Sequence, residues 1–187
     1  SAEFTPVMKE TVKKLEKEEG LTGVVFASAK KTFFAGGDLN SLLATTPEQT
    51  QDFFNNIEDM KADFRRLEKL PVPVVSAING AALGGGFEIC LMTNYRIAYN
   101  HKSVQLGLPE VGLGLLPGGG GVVRMVNLLG LQNALPFLLE GKKVTPEKAL
   151  KAGMIHETVD SLDALIPRAK AYILEQKGNE AAAVQPW

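Results

Sequence analysis

The sequence is poor in residues that build cross-links and metal sites: it holds one cysteine, Cys90, and two histidines, His101 and His156. A lone cysteine excludes an internal disulfide framework and a cysteine-based zinc site, and two histidines so far apart have no ligand spacing. No metal site is therefore expected. An excess of one charge is lacking too. Lys+Arg is 20 and Asp+Glu is 21, with neither a basic stripe for nucleic acid nor an acidic tail. No apolar run reaches the roughly 18 residues of a membrane span, and the N-terminus carries no signal-peptide pattern. These absences fit a reducing interior such as the cytoplasm. The chain begins with Ser1 and not Met, so processing or truncation is open.

What is present in excess is glycine. The 187 residues contain 19 glycines, above the ordinary share of about 7%. Eleven of them fall between Gly80 and Gly121. A local excess of this kind asks which backbone has to come close to something. Otherwise the composition is globular, with 45% hydrophobic and 22% charged residues, and the length suits one domain.

Apolar spacing predicts a first helix within Ala2 to Glu19, ended by Gly20. Thr22 to Ser28 reads as a buried strand, and a short helix from Asp38 to Leu43 follows. Thr46-Pro-Glu-Gln49 has the form of a helix start, and that helix is expected to bury Phe53, Phe54, Ile57, Met60, Phe64 and Leu67. Val74 to Ile78 is a second buried strand. Gly84-Gly-Gly86 opens a helix reaching about Met92. Strands are expected at Tyr95 to Tyr99 and Ser103 to Leu106, and a helix opens at Gly118 to Gly121. Thr145-Pro-Glu starts another helix that Gly153 ends, and a strand lies around Ile155 to Val159. Ser161 caps a last helix to about Lys177, and Gly178 to Trp187 reads as loosely ordered. Strands alternate with helices and no linker divides them, so a mostly parallel α/β architecture is expected.

Three strand-to-loop junctions end in glycine beside a helix start. Helix N-termini present unpaired N–H groups with partial positive charge, and two converging on one point would form an oxyanion hole. The candidate donors are Gly37 and Gly85; the alternative is that these are merely tight turns. A dinucleotide site is not expected, because the pattern G-x-G-x-x-G begun at Gly84 meets Ile89 at its sixth position. Two acids stand out. Glu88 is the lone charge in an apolar helix, and Glu110 lies among apolar neighbours in Leu108-Pro-Glu-Val111. Buried together they could hold a water and shift a pKa toward acid–base work; exposed or salt-bridged, they would do neither. His101 reads as a surface turn residue, while His156 and Cys90 read as structural.

Lys31-Thr-Phe-Phe-Ala-Gly-Gly-Asp-Leu39, Ile78-Asn-Gly-Ala-Ala-Leu-Gly-Gly-Gly-Phe-Glu88, and Leu106-Gly-Leu-Pro-Glu110 through Pro117-Gly-Gly-Gly-Gly121 occur in one order. Together they resemble the three signatures of the enoyl-CoA hydratase/isomerase (crotonase) family. Ala29 to Asp38 and the ending Val184-Gln-Pro-Trp187 are most similar to one branch of it, the hydratase domain of multifunctional fatty-acid oxidation complex α subunits. The resemblance implies a crotonase-like spiral of ββα units followed by C-terminal helices, assembled as a homotrimer or hexamer. It implies that residues 1–187 form one hydratase/isomerase domain, incomplete at the N-terminus. In a bacterial parent, a hydroxyacyl-CoA dehydrogenase domain would follow and a thiolase subunit would be a partner.

The implied reaction is syn hydration of trans-2-enoyl-CoA to 3-hydroxyacyl-CoA in β-oxidation. Coenzyme A enters as part of the substrate, and no other cofactor is implied. The resemblance implies Glu110 as main acid/base and Glu88 as water-orienting partner with a base role. Gly37 and Gly85 would be oxyanion donors, and Ala35, Gly36, Asp38, Leu39, Gly84, Pro109 and Gly118 substrate-binding positions. Family isomerases often keep only the acid matching Glu110, so Glu88 favours hydration. The alternatives are a Δ3–Δ2-enoyl-CoA isomerase and an inactive fragment acting as an acyl-CoA-binding or assembly module.

Overall fold

The computed structural model describes residues 3–37 and 39–185. Its centre is a four-stranded parallel sheet in the order β1-β2-β4-β6: β1 is Val24–Ala27, β2 Val74–Ile78, β4 Tyr95–Tyr99 and β6 Glu157–Val159. The register pairs Val25 with Val75, Ala77 with Ile97 and Ala98 with Thr158. Strand β2 is buried along its whole length, as expected of a parallel strand covered on both faces. Its one polar residue, Ser76, shares a 3.0 Å hydrogen bond with the hydroxyl of Thr93. One face of the sheet packs on helix α8 (Leu162–Glu175), where Leu165, Ala169 and Ile173 meet Val75, Ala77 and Ile97. The other face joins the larger core, which includes Phe64, Leu67, Phe87, Leu91 and Met125.

A second, two-stranded parallel sheet pairs β3 (Ala82–Leu83) with β5 (Leu106–Gly107). Phe34 adds a parallel bridge to Ala82. This small sheet brings three distant chain segments side by side and leads each of them into a loop at the same place. The helices α4 (Gly85–Leu91), α5 (Gly121–Leu129), α6 (Leu131–Leu139) and α7 (Pro146–Lys151) follow. The α/β class and the parallel sheet expected from the sequence are what the structure has.

Four local expectations need correction. The strand expected at Ser103 to Leu106 is confined to Leu106–Gly107, because the chain first turns, with the Val104 N–H donating to the His101 carbonyl at 2.9 Å. Helix α1 spans Phe4–Leu15 and stops short of Gly20. The Lys17-Glu-Glu19 stretch beyond Leu15 offers no apolar residue to anchor another turn to the core. Helix α3 (Thr50–Glu68), preceded by a 3-10 turn at Pro47–Gln49, buries Phe64 and Leu67 but leaves Phe53 41% and Phe54 57% exposed. Its N-terminal half runs past the edge of the core, so the apolar stripe continues where nothing covers it. Finally, the chain after Gly178 is not loose over its described part. Glu180–Ala183 forms a 3-10 turn, and buried Gln185 donates from Nε2 to the Met92 carbonyl at 2.6 Å. Pro186 and Trp187 lie outside the described residues.

Candidate active site

The site begins where β2 and β3 hand the chain to α4. Gly84 has φ +56°, a left-handed conformation that favours glycine. Its N–H donates to the Gly107 carbonyl at 2.9 Å, and its carbonyl accepts from Phe87 and Glu88 N–H at 2.8 and 3.0 Å. One residue therefore ties β5 to the start of α4. The loop from Phe33 to Gly37 lies against this turn: Phe33 and Phe34 N–H donate to the Ala81 carbonyl, and Leu83 N–H donates to the Phe34 carbonyl, each at 3.1 Å. A Cβ at Gly86 would collide with that Phe34 carbonyl oxygen. The glycine excess thus has a steric reason, since two backbones touch where a side chain would part them.

Glu88 sits in the first turn of α4 and is 4% exposed. Its Oε1 accepts from the N–H groups of Gly119 and Gly121, both at 2.8 Å. Gly121 opens α5, so the carboxylate occupies the positive end of that helix. Burial pushes the Glu88 carboxyl above its ordinary value, while the Gly121 and Gly119 N–H groups and the charge of Arg124 pull the other way.

Glu110 comes from the 3-10 turn Pro109–Leu113 that follows β5. A Cβ placed on Gly84 would lie 2.9 Å from its Oε1. Its Oε2 is buried with no hydrogen-bond partner among the described residues. Burial raises this carboxyl too; a backbone hydrogen bond opposes the rise, and the negative charge of Glu88 adds to it. That coupling places the two acids within electrostatic reach of each other. Both face the same turn, for a Cβ on Gly85 would lie 3.9 Å from Glu88 Oε2.

The structure brings Gly36, Gly84, Gly85, Glu88 and Glu110 together: the Gly36 Cα is 3.8 Å from where a Gly84 Cβ would be. Gly37 follows directly in the same loop. Among the described residues, no acceptor takes the N–H of Gly37 or of Gly85. Pro109 opens the turn that carries Glu110 and is half-buried. Ala35, Leu39 and Gly118 are themselves exposed, Gly118 between buried Pro117 and Gly119, and Asp38 lies outside the described residues. Sequence reasoning assigned no role in holding Glu88 to Gly119 and Gly121. The usable signal was the start of α5, whose first N–H groups need acceptors. It also missed Arg124 and Glu68, whose ion pair closes at 2.6 Å behind the turn.

The remaining candidates fall elsewhere. His101 is exposed and bonds Ser103. His156 is exposed over part of its surface; it accepts the Arg96 N–H at Nδ1 and stacks on Tyr95, and the partial desolvation of its ring and the nearby Arg96 charge lower its pKa. Cys90 is buried, and burial pushes its thiol up to about 12. Among the described residues, no three His, Cys, Asp or Glu side chains are grouped to hold a metal, and no helix is long and apolar enough to cross a membrane.

Known proteins are similar to this chain in sequence and in fold. The chain is 38% identical over 181 residues to the fatty acid oxidation complex subunit alpha of Shewanella frigidimarina, covering 96% of this chain and 25% of that protein. It is 41% identical over 160 residues to the subunit of the same name from Shewanella loihica, covering 84% of this chain and 22% of that protein. The chain thus spans about a quarter of the length of the relatives it matches. Among solved structures, the enoyl-CoA hydratase of Bacillus anthracis superposes with a TM-score of 0.85 at 28% identity, covering 96% of this chain and 67% of that one. The enoyl-CoA hydratase of Bacillus halodurans gives a TM-score of 0.87 at 25% identity, covering 98% and 74%. The spiral of ββα units anticipated from the three motifs is therefore the fold. A family model described as enoyl-CoA hydratase/isomerase matches residues 1–184, and with two acids facing one glycine turn on that fold, the chain belongs to the enoyl-CoA hydratase/isomerase family.

Proposed function

We propose that this chain adds water across the double bond of a trans-2-enoyl-CoA thioester in fatty-acid β-oxidation. The observation that carries this reading is the pair of acids at one glycine turn, one held by two peptide N–H groups and one with a buried, unpartnered oxygen. The thioester oxygen would accept from Gly37 and Gly85 N–H, two groups with no acceptor among the described residues. Attack of the water oxygen at C3 shifts the π pair of the C2–C3 double bond to C1–C2 and the carbonyl π pair onto the thioester oxygen. Donors fixed in advance stabilise the resulting enolate, and losing one typically costs about 10²–10³ in rate. The water surrenders one proton to a carboxylate, and an acid returns one to C2, so atoms and charge balance over the cycle.

Glu110 suits the proton-exchanging role, because no donor among the described residues holds its Oε2 and the charge of Glu88 adds to the burial that raises its pKa. Glu88 suits the orienting role, because Oε1 is fixed and Oε2 is left to accept from the water. Migration of a double bond needs no water and so no second acid, which makes the held Glu88 an argument for hydration. The test is hydration of crotonyl-CoA, followed by loss of the enoyl-thioester absorbance, with isomerisation of a 3-enoyl-CoA measured alongside. Turnover of crotonyl-CoA that collapses in Glu88→Gln and in Glu110→Gln is the expected result. Isomerisation that survives Glu88→Gln, with no hydration by the unaltered chain, would make it an isomerase instead.

A further inference from the structure

The turn that grips Glu88 is itself gripped from behind. The Arg124 Nη1 donates to the Gly119 carbonyl at 2.9 Å, and its Nε donates to Glu68 Oε1 at 2.6 Å. The other Glu68 oxygen accepts from Arg65 at 3.1 Å. Both Glu68 and Arg124 are buried. A Cβ at Gly120 would collide with the Arg124 guanidinium, so the guanidinium lies against the tip of the turn. Gly119 thus has its N–H on Glu88 and its carbonyl on Arg124. A buried ion pair is weak evidence for stability, because desolvation offsets most of its attraction. A role in fixing geometry accounts better for this one, which spans 56 positions of sequence.

We propose that Arg124, locked by Glu68 at the C-terminal end of α3, is a positioning residue that sets the direction of the Glu88 carboxylate by fixing the Gly119–Gly121 turn. It touches neither acid, and it acts through one carbonyl and through its charge. The charged groups around Glu88 are then Glu110 on the opposing turn, Arg124 on α5 and, beyond it, Glu68 on α3. Of these, Arg124 alone favours ionised Glu88.

The activity arm of the test rests on the hydratase reading, whereas a second arm does not. In Arg124→Met, kcat for crotonyl-CoA is expected to fall about 10²-fold, the cost of a small misplacement of a reacting group, with KM within about twofold. The acid limb of the kcat–pH profile should move to higher pH. Independently, ¹³C-labelled glutamate, assigned with Glu88→Gln, should show Glu88 titrating at higher pH in Arg124→Met. Arg124→Lys keeps the charge but cannot reach Glu68 and Gly119 in the same fork geometry, so it should restore the titration more fully than kcat. Arg168 on α8, whose ion pair with Glu157 closes at 2.6 Å, serves as control: Arg168→Met should leave both readouts unmoved. Where Arg124→Met does not fold, Glu68→Gln with Arg124→Met removes both buried charges and is read in the same way. A folded variant with unchanged kcat and an unmoved Glu88 titration would overturn the proposal. Absence of crotonyl-CoA turnover in the unaltered chain would overturn the hydratase reading, while the titration still decides the role of Arg124.

Discussion

Glu88 and Glu110 are both partly or wholly buried acids at one glycine turn, but their surroundings differ in kind. Glu88 is anchored: two peptide N–H groups hold one oxygen, and a helix N-terminus and an arginine lie behind them. Glu110 hangs from a 3-10 turn with one oxygen buried and unpartnered. Burial raises both carboxyls, but at Glu88 two peptide N–H groups and the Arg124 charge oppose the rise, whereas at Glu110 one backbone hydrogen bond opposes it and the charge of Glu88 adds to it. On the proposed hydration, this contrast is the basis for giving the anchored acid the orienting role and the unanchored acid the proton exchange.

The sharpest way to break this contrast is to neutralise each acid in turn. Glu110→Gln should lower kcat for crotonyl-CoA hydration by about 10³–10⁴-fold, in the upper range for general acid–base catalysis, and Glu88→Gln by about 10²–10³-fold. Equal losses would dissolve the division of labour. Next in size is removal of the anchor with the acid left in place. Gly119→Ala would set a Cβ 2.8 Å from Glu88 Oε2, and Gly121→Ala one 2.9 Å from its Cγ and Oε1. Each should cost about 10²-fold in kcat, measured at saturating substrate.

The smallest effect is on stability, and it has a definite sign. The Glu110 pKa is raised in the folded chain. As pH rises from its ordinary value through the raised one, the folded state holds more protons than the unfolded state and stability is lost. Glu110→Gln removes that loss. Its Tm should therefore exceed that of the parent by about 2–4 °C at pH 8, with the gain gone near pH 4. Thermal unfolding at the two pH values checks it.

Legibility in the sequence followed distance along the chain. Strand β2 and helix α4 could be read because apolar runs next to glycine turns are local signals, and the two acids could be read because each is a charge in an apolar setting. Periodicity gave α3 its helix but not the extent of its cover, since a stripe does not say where the core ends; hence exposed Phe53 and Phe54. Arg96 is buried and satisfied by the carbonyls of Met154 and Thr93 at 2.8 Å, yet in sequence it is an ordinary charge in Tyr95 to Tyr99. Arg124 was hidden in the same way, because its partner Glu68 lies on another helix. Long-range pairs of this kind leave no mark on local pattern.

The contact between the Phe33–Gly37 loop and the turn before α4 is made by main chain against main chain. The proposed oxyanion donors thus belong to a frame joined at that contact by peptide groups, with the Phe33 and Phe34 side chains anchoring the loop to the core. If the proposed hydration holds, side chains that choose among acyl groups can be exchanged around such a frame without disturbing the peptide groups proposed to polarise the thioester. The chemistry would then be inherited as a rigid unit, and substrate preference could drift around it.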